Sequence, residues 1–239
     1  MGANDHPKSW KIPRIWPEGN IIIIGGGPSF KKVNTNILKR LSLEGKIRVI
    51  GCNKAYKEIE DGREWIHVMT FGDDPFYQVF RNRSEDGLYT FPGIRVGFCP
   101  SCQNDKGVKY VAHDDRKHHG ITKHPKRICW NKNTGGATIN LAYHFGGPRS
   151  NIFLFGFDMK KGKGGASHWH AGYYEKNKDH HVKIPFPRFM STIPHIARDA
   201  KKLKLNIYNV NMDSAINDFE KIPFNQFKSM VDKEKTTDE

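Results

Sequence analysis

Short apolar runs rich in β-branched residues alternate with amphipathic stretches along this chain. The clearest run is Ile21, Ile22, Ile23 and Ile24, four isoleucines in succession. An unbroken run of this kind predicts a strand buried on both faces, as in a parallel sheet. The pattern predicts strands at 20–25, 47–51, 65–70, 94–98, 151–156 and 205–210. It predicts helices at 33–43, 55–59, 75–81, 134–145 and 196–203, with Leu38 and Leu41 of the first facing inward and Pro194 breaking the pattern ahead of the last. Strands alternating with helices make one α/β domain over residues 1–232. Its expected form is a Rossmann-like, mostly parallel open sheet with helices on both faces. Residues 99–133 have little periodicity and read as a Cys/His-rich basic insertion or long functional loop. Residues 233–239 are charged and read as a disordered tail.

The first strand runs into Gly25-Gly26-Gly27-Pro28-Ser29. A strand, a glycine turn and a helix start together suit a phosphate, because the backbone N–H groups can approach an anion closely. Gly26, Gly27, Pro28 and Ser29 are therefore candidates for nucleotide binding. Two familiar nucleotide signatures are excluded. The dinucleotide fingerprint needs a glycine where Phe30 stands and an acid after the second strand, where the chain reads Gly51-Cys52-Asn53. No Gly-Lys-Ser/Thr follows the loop, so it is not a P-loop. A plain strand–turn–helix corner is the competing reading.

Other predicted strands also end in polar or glycine signals, and in a parallel sheet all of these lie on one edge. Asn53 can bond a base, ribose or phosphate, or make an Asx turn. Asp73 and Asp74 can hold Mg²⁺ through oxygen, act as acid or base, or cap the helix that follows. Asp158 ends a strongly apolar strand. Thr134 and Gly135 open a helix, which provides a second anion site or a simple N-cap.

His168-Trp169-His170 puts two imidazoles one residue apart, on the same side of an extended segment. Either can serve as a general base near neutral pH. With Asp158 they also match a two-His, one-carboxylate metal set. Trp169 can stack on a base or sugar, and Tyr173 and Tyr174 can meet phosphate oxygens.

The net charge of +14 points to anionic partners: nucleotides, nucleic acid, acidic sugars or lipid headgroups. Residues 101–133 carry eight Lys/Arg and four His against three acids. Cys99 and Cys102 have the spacing of half a zinc site, and Cys129 with a histidine such as His124 would complete it. Cys52 reads as an inert core thiol. No apolar run is long enough to span a membrane. The N-terminus lacks the apolar stretch of a signal peptide, so a cytoplasmic setting is expected.

Taken together, Gly-Gly-Gly-Pro-Ser, Gly-Cys-Asn, Thr-Gly-Gly and the run from Ile152 to Asp158 resemble two relatives. One is the bacterial sialyltransferase family with a single Rossmann-like domain. The other is the 6-hydroxymethylpterin pyrophosphokinase-like family and its phage-encoded cousins. The segment from Asn209 to Phe219 is similar to the close of those phage proteins. The first resemblance implies a glycosyltransferase with a CMP- or UDP-type nucleotide-sugar donor; its acceptor would be a glycan, or a nucleic acid held by the basic insertion. Gly27, Pro28, Ser29, Asn53, Thr134 and Gly135 would hold the donor. His168 or His170 would be the base, and Tyr173 or Tyr174 would meet the leaving phosphate. The second implies Mg²⁺ held for ATP by Asp73, Asp74 and Asp158. A non-catalytic reading also stands: a nucleic-acid-binding module whose basic insertion presents Tyr110 and Trp130.

Overall fold

Ile21, Ile22, Ile23 and Ile24 are fully buried at the centre of the sheet. The two-residue period of a strand sends Ile22 and Ile24 into one core and Ile21 and Ile23 into the other. Burying each such side chain stabilises the fold by about 1.5–3 kcal/mol. The structure, a computed structural model, describes residues 8–170 and 186–232.

In chain order the strands are β1 (Asn20–Ile24), β2 (Arg48–Cys52), β3 (Val68–Phe71), β4 (Ile94–Gly97), β5 (Lys109–Tyr110), β6 (Ala112–His113), β7 (Arg127–Ile128), β8 (Asn151–Phe155), β9 (Asn206–Asn209) and β10 (Glu220–Lys221). Eight of them form one sheet in the order β10-β9-β8-β1-β2-β3-β4-β5. Every pairing in it is parallel. The helices are α1 (Thr35–Leu43), α2 (Ala55–Glu58), α3 (Gly62–Trp65), α4 (Asp74–Phe80), α5 (Thr134–Gly146), α6 (Phe186–Met190), α7 (Ile193–Lys202) and α8 (Phe224–Asp232). Core side chains of α1 to α4 and α8 pack on one face of the sheet, and those of α5 and α7 on the other. The fold is the expected α/β class with a Rossmann-like parallel sheet. No helix among the described residues is long and apolar enough to cross a membrane.

From β1 the chain builds outward to β5, then returns to the other side of β1 and builds through β8 to β10. The order reverses between β1 and β8. In open parallel sheets this reversal leaves a crevice at the carboxyl ends of the two strands, and ligands bind there.

Several expectations are corrected. The strand expected at 65–70 begins only at Val68, because residues 62–65 form α3. Pro194 lies in the first turn of α7, where the missing N–H costs nothing, and does not interrupt it. The strand at 205–210 is not the last: β10 adds an edge, and α8 buries Phe227 and Val231.

The largest correction concerns residues 99–133. They are built into the fold, supplying β5 to the main sheet and the β6–β7 pair beside it. Two fully buried asparagines hold them. Asn140 of α5 accepts from the N–H groups of Thr122 (3.0 Å) and Cys129 (2.8 Å) and donates to the Thr122 carbonyl (3.1 Å). Asn131 accepts from the Gly120 N–H at 2.7 Å and donates towards the carbonyls of Gly120, Cys129 and Gly136. Irregular backbone can be buried here because side-chain amides satisfy it.

Candidate functional site

The strand-end junction of β1 and β8 is assembled around one carboxylate. Asp158 follows β8, and Ser29 lies in the 3-10 turn Pro28–Lys32 that follows β1. The Ser29 hydroxyl donates to Asp158 Oδ2 at 2.8 Å, and the Ser29 N–H donates to Oδ1 at 3.1 Å. Asn211 Nδ2 donates to the same Oδ1 at 3.1 Å. Burial raises the Asp158 pKa above the usual carboxylate value, while the bonds from Ser29 and Asn211 and the charge of Lys160 oppose the rise.

This arrangement changes the role expected of the glycine loop. The Gly25 N–H donates to the Phe155 carbonyl and the Gly27 N–H to the Gly156 carbonyl, each at 2.8 Å. Pro28 has no N–H, and that of Ser29 is taken by Asp158. The loop's amides are thus largely spent inside the protein, and its anion seat holds the chain's own carboxylate. Gly27 is needed for close approach: a Cβ there would run into Asp158 Oδ2 and the Gly156 carbonyl.

The histidine segment is brought to the same place by Trp169. Its N–H donates to the Gly26 carbonyl at 3.0 Å, and its indole Nε1 donates to the Gly25 carbonyl at 2.9 Å. Its ring also packs on Phe30, with centroids 5.0 Å apart. Trp169 is therefore an anchor, not an exposed stacking platform. The rings of His168 and His170 lie beside each other, with centroids 5.3 Å apart, and His170 meets the Trp169 ring edge-on. Burial, helped by the charge of His170, lowers the His168 pKa to about 4. His168 is neutral at physiological pH.

Phe157 joins this cluster to α5. Ideal Cβ atoms on Gly25 and Gly135 would each lie 2.9 Å from its ring. Asn133, not Thr134, is the N-cap of α5, accepting from the Gly136 N–H at 2.8 Å. Thr134 is buried as the first helical residue. Asn53, at the end of β2, adopts a left-handed backbone (φ 53°) and donates its N–H to the Thr70 carbonyl at 2.7 Å. Beyond β3, the edge of the Trp130 ring abuts Gly72, leaving no room for a side chain there. Trp130 also stacks on His113.

Asp73 occupies the N-cap position of α4, but its side chain makes no capping bond. Although solvent reaches Asp73, partial desolvation and the neighbouring Asp74 raise its pKa. Asp74 accepts from the Ser101 N–H at 3.4 Å. Among the described residues no group of three or more His, Cys, Asp or Glu side chains converges to hold a metal ion. Neither Asp73, Asp74 and Asp158 nor Cys99, Cys102, Cys129 and His124 is gathered into such a group. Cys99 and Cys102 instead pack into the core, with the Cys102 thiol donating to the Cys99 carbonyl at 3.0 Å. Tyr110 is buried in β5 and cannot present its ring to a nucleic acid. Tyr173 and Tyr174 lie outside the described residues.

The segment after β9, which the sequence singled out only for its resemblance and without a site role, clasps the end of β8. The Phe157 carbonyl accepts from the Ser214 hydroxyl (2.7 Å) and from Asn209 Nδ2 (3.2 Å). The Asp158 carbonyl accepts from the Ala215 N–H at 2.9 Å. The signal was the density of Asn and Ser in a short stretch after a strand. Its partners, about 50 residues away in sequence, gave no local sign. Compared with protein-family models, with curated proteins and with solved structures, the chain matches none.

Proposed function

We propose that this chain is a transferase that binds a nucleotide-activated donor, of the nucleotide-sugar type, in the crevice between β1 and β8. One observation carries the reading. Trp169 fastens a two-histidine segment to the glycine turn at the point where the strand order reverses, so candidate bases stand beside a ligand crevice. In this reading Asn53 meets the nucleoside. Lys160 and the first turn of α5 face the phosphate, in place of the glycine loop. His170 takes the proton from the acceptor hydroxyl. A group with a pKa near 4 is a weak base at neutral pH, so His168 is the poorer candidate.

The test is a thermal-shift panel with CMP, UDP, GDP, ADP, ATP and CMP- or UDP-sugars, each with and without Mg²⁺. A ligand that binds only the native state raises the melting temperature. A rise with a CMP or UDP compound that is lost in Asn53→Ala supports the proposal. A rise only with ATP and Mg²⁺ replaces it with a phosphoryl-transfer enzyme. No rise with any nucleotide removes it.

A further inference from the structure

Two pairs of lysines flank the contact between Ser29 and Asp158. Lys31 and Lys32 close the turn that contains Ser29, and Lys160 and Lys161 follow Asp158. All four are exposed. The Ser29–Asp158 bonds hold the two loops together, and an ideal Cβ on Gly162 would lie 2.9 Å from the Pro28 ring. No acid occurs in residues 25–43 or 159–170 to neutralise these lysines locally. The Lys160 charge is felt by the Asp158 carboxyl.

The edge continues past the first turn of α5 to Trp130 and Lys132. The Trp130 ring is half-buried, with its Cη2–Cζ3 edge against Gly72 and one face stacked on His113. Lys132 is held beside it, its ammonium donating to the Ser191 hydroxyl at 3.2 Å. Lysines thus stand at both ends of a strand-end edge that carries a partly open indole.

A nucleotide donor brings only a few negative charges. The chain's excess of +14 and the two acid-free segments that carry these four lysines suit an anion that repeats along its length, although Asp73 and Asp74 stand farther along the edge, beside Gly72. Lysines are point charges without a fork, suited to a phosphodiester backbone rather than to reading base edges. A partly open indole suits the flat face of an unpaired base.

We propose that this edge is a binding surface for single-stranded nucleic acid. The backbone lies on Lys31, Lys32, Lys160 and Lys161, and a base rests against Trp130. The proposal goes beyond the donor site and does not depend on what is transferred.

The experiment is fluorescence anisotropy of labelled single-stranded oligo-dT and oligo-U, about 20 nucleotides long, titrated with the full chain from 50 to 300 mM salt. Expected are saturable binding and a log–log salt slope near −3 for about four phosphates neutralised. The combined variant Lys31→Glu, Lys32→Glu and Lys161→Glu should lose about tenfold or more in affinity and flatten that slope. These side chains are exposed, so an unchanged melting temperature verifies that the variant folds. Absence of binding at 50 mM salt overturns the proposal, as does a folded variant that binds like wild type. Equal affinity and salt slope with heparin also overturn it, by showing a surface for any polyanion. Lys160 also faces the donor phosphate in the proposed function, so the variant leaves it in place. The nucleotide panel reads Asn53 and the oligonucleotide titration reads Lys31, Lys32 and Lys161, and either proposal can fail alone.

Discussion

The Ser29 hydroxyl and the Asp158 carboxylate are hydrogen-bonded at 2.8 Å between the loops that follow the paired strands β1 and β8. This pair ties the two halves of the sheet together where their strand order reverses, and Asn211 completes it from a third strand end. Replacing Asp158 with alanine strands the Ser29 N–H and hydroxyl and the Asn211 amide together. Each buried group left unpaired costs about 1–3 kcal/mol. We expect Asp158→Ala to lower unfolding free energy by about 3 kcal/mol in urea titrations. Asp158→Asn keeps one acceptor oxygen and should lose less. Equal losses in the two variants would show that shape, not hydrogen bonding, matters here.

Gly27→Ala tests the same junction from the backbone side. The added methyl meets a carboxylate oxygen and a main-chain carbonyl, and neither can yield without breaking the Ser29–Asp158 pair or the β1–β8 ladder. A loss of about 2 kcal/mol or more is expected, read as a fall in urea midpoint. Gly45→Ala is a useful contrast. Nothing stands within 4 Å of its Cβ position, so only the strain of a positive φ (73°) applies, about 1 kcal/mol.

Residues 99–133 should depend on Asn140, not on a metal. Asn140→Leu leaves two buried N–H groups and one carbonyl unsatisfied and should destabilise by about 3–5 kcal/mol. Treatment with EDTA should leave the melting temperature of the wild-type chain unchanged. A fall of several degrees with chelator would mean that an ion holds this region.

Acid should destabilise the protein through buried histidines. Burial lowers the pKa values of His144 and His67 to about 4 each, the Arg48 charge adding to the effect at His67. Burial favours the neutral ring at both: the Val49 N–H donates to His67 Nδ1 at 3.1 Å, while His144 Nε2 donates to the Arg127 carbonyl at 3.1 Å, a bond that opposes the fall without overcoming it. Below the unfolded value of about 6.5 the unfolded chain binds more protons than the folded one. The stability these groups contribute is therefore present above pH 6.5 and lost as pH falls towards 4. For fully buried His144 the loss reaches about 3 kcal/mol, and less for half-buried His67. Urea midpoints measured from pH 7 to 4.5 should fall, and fall less in His144→Gln. A flat profile would contradict the assignment.

Trp169→Phe removes the indole bond to Gly25 but keeps the ring against Phe30. It should loosen the His168–His170 segment, whose backbone bond to Gly26 remains, with only about 1 kcal/mol lost in stability. In the transferase reading, kcat should drop more than donor affinity, as measured by steady-state kinetics beside a nucleotide titration.

The isoleucine run, the glycine turn and the alternation of strands with helices determined the parallel α/β sheet. Each is a local pattern, and the two-residue period of Ile21 to Ile24 alone implies two covered faces. The strand-end location of Ser29, Asn53, Asp73 and Asp158 followed from the same logic, since parallel strands share one carboxyl edge. Other features depended on partners far apart in the chain. Residues 99–133 looked like a loop because Asn131 and Asn140, rather than an apolar rhythm, bury them. The glycine loop looked like a phosphate cradle because nothing near it in sequence reveals that Asp158, 129 residues on, occupies its anion seat. Periodicity records which face of an element is covered. It does not record which distant polar group comes to rest against it, and only the tertiary structure decided that.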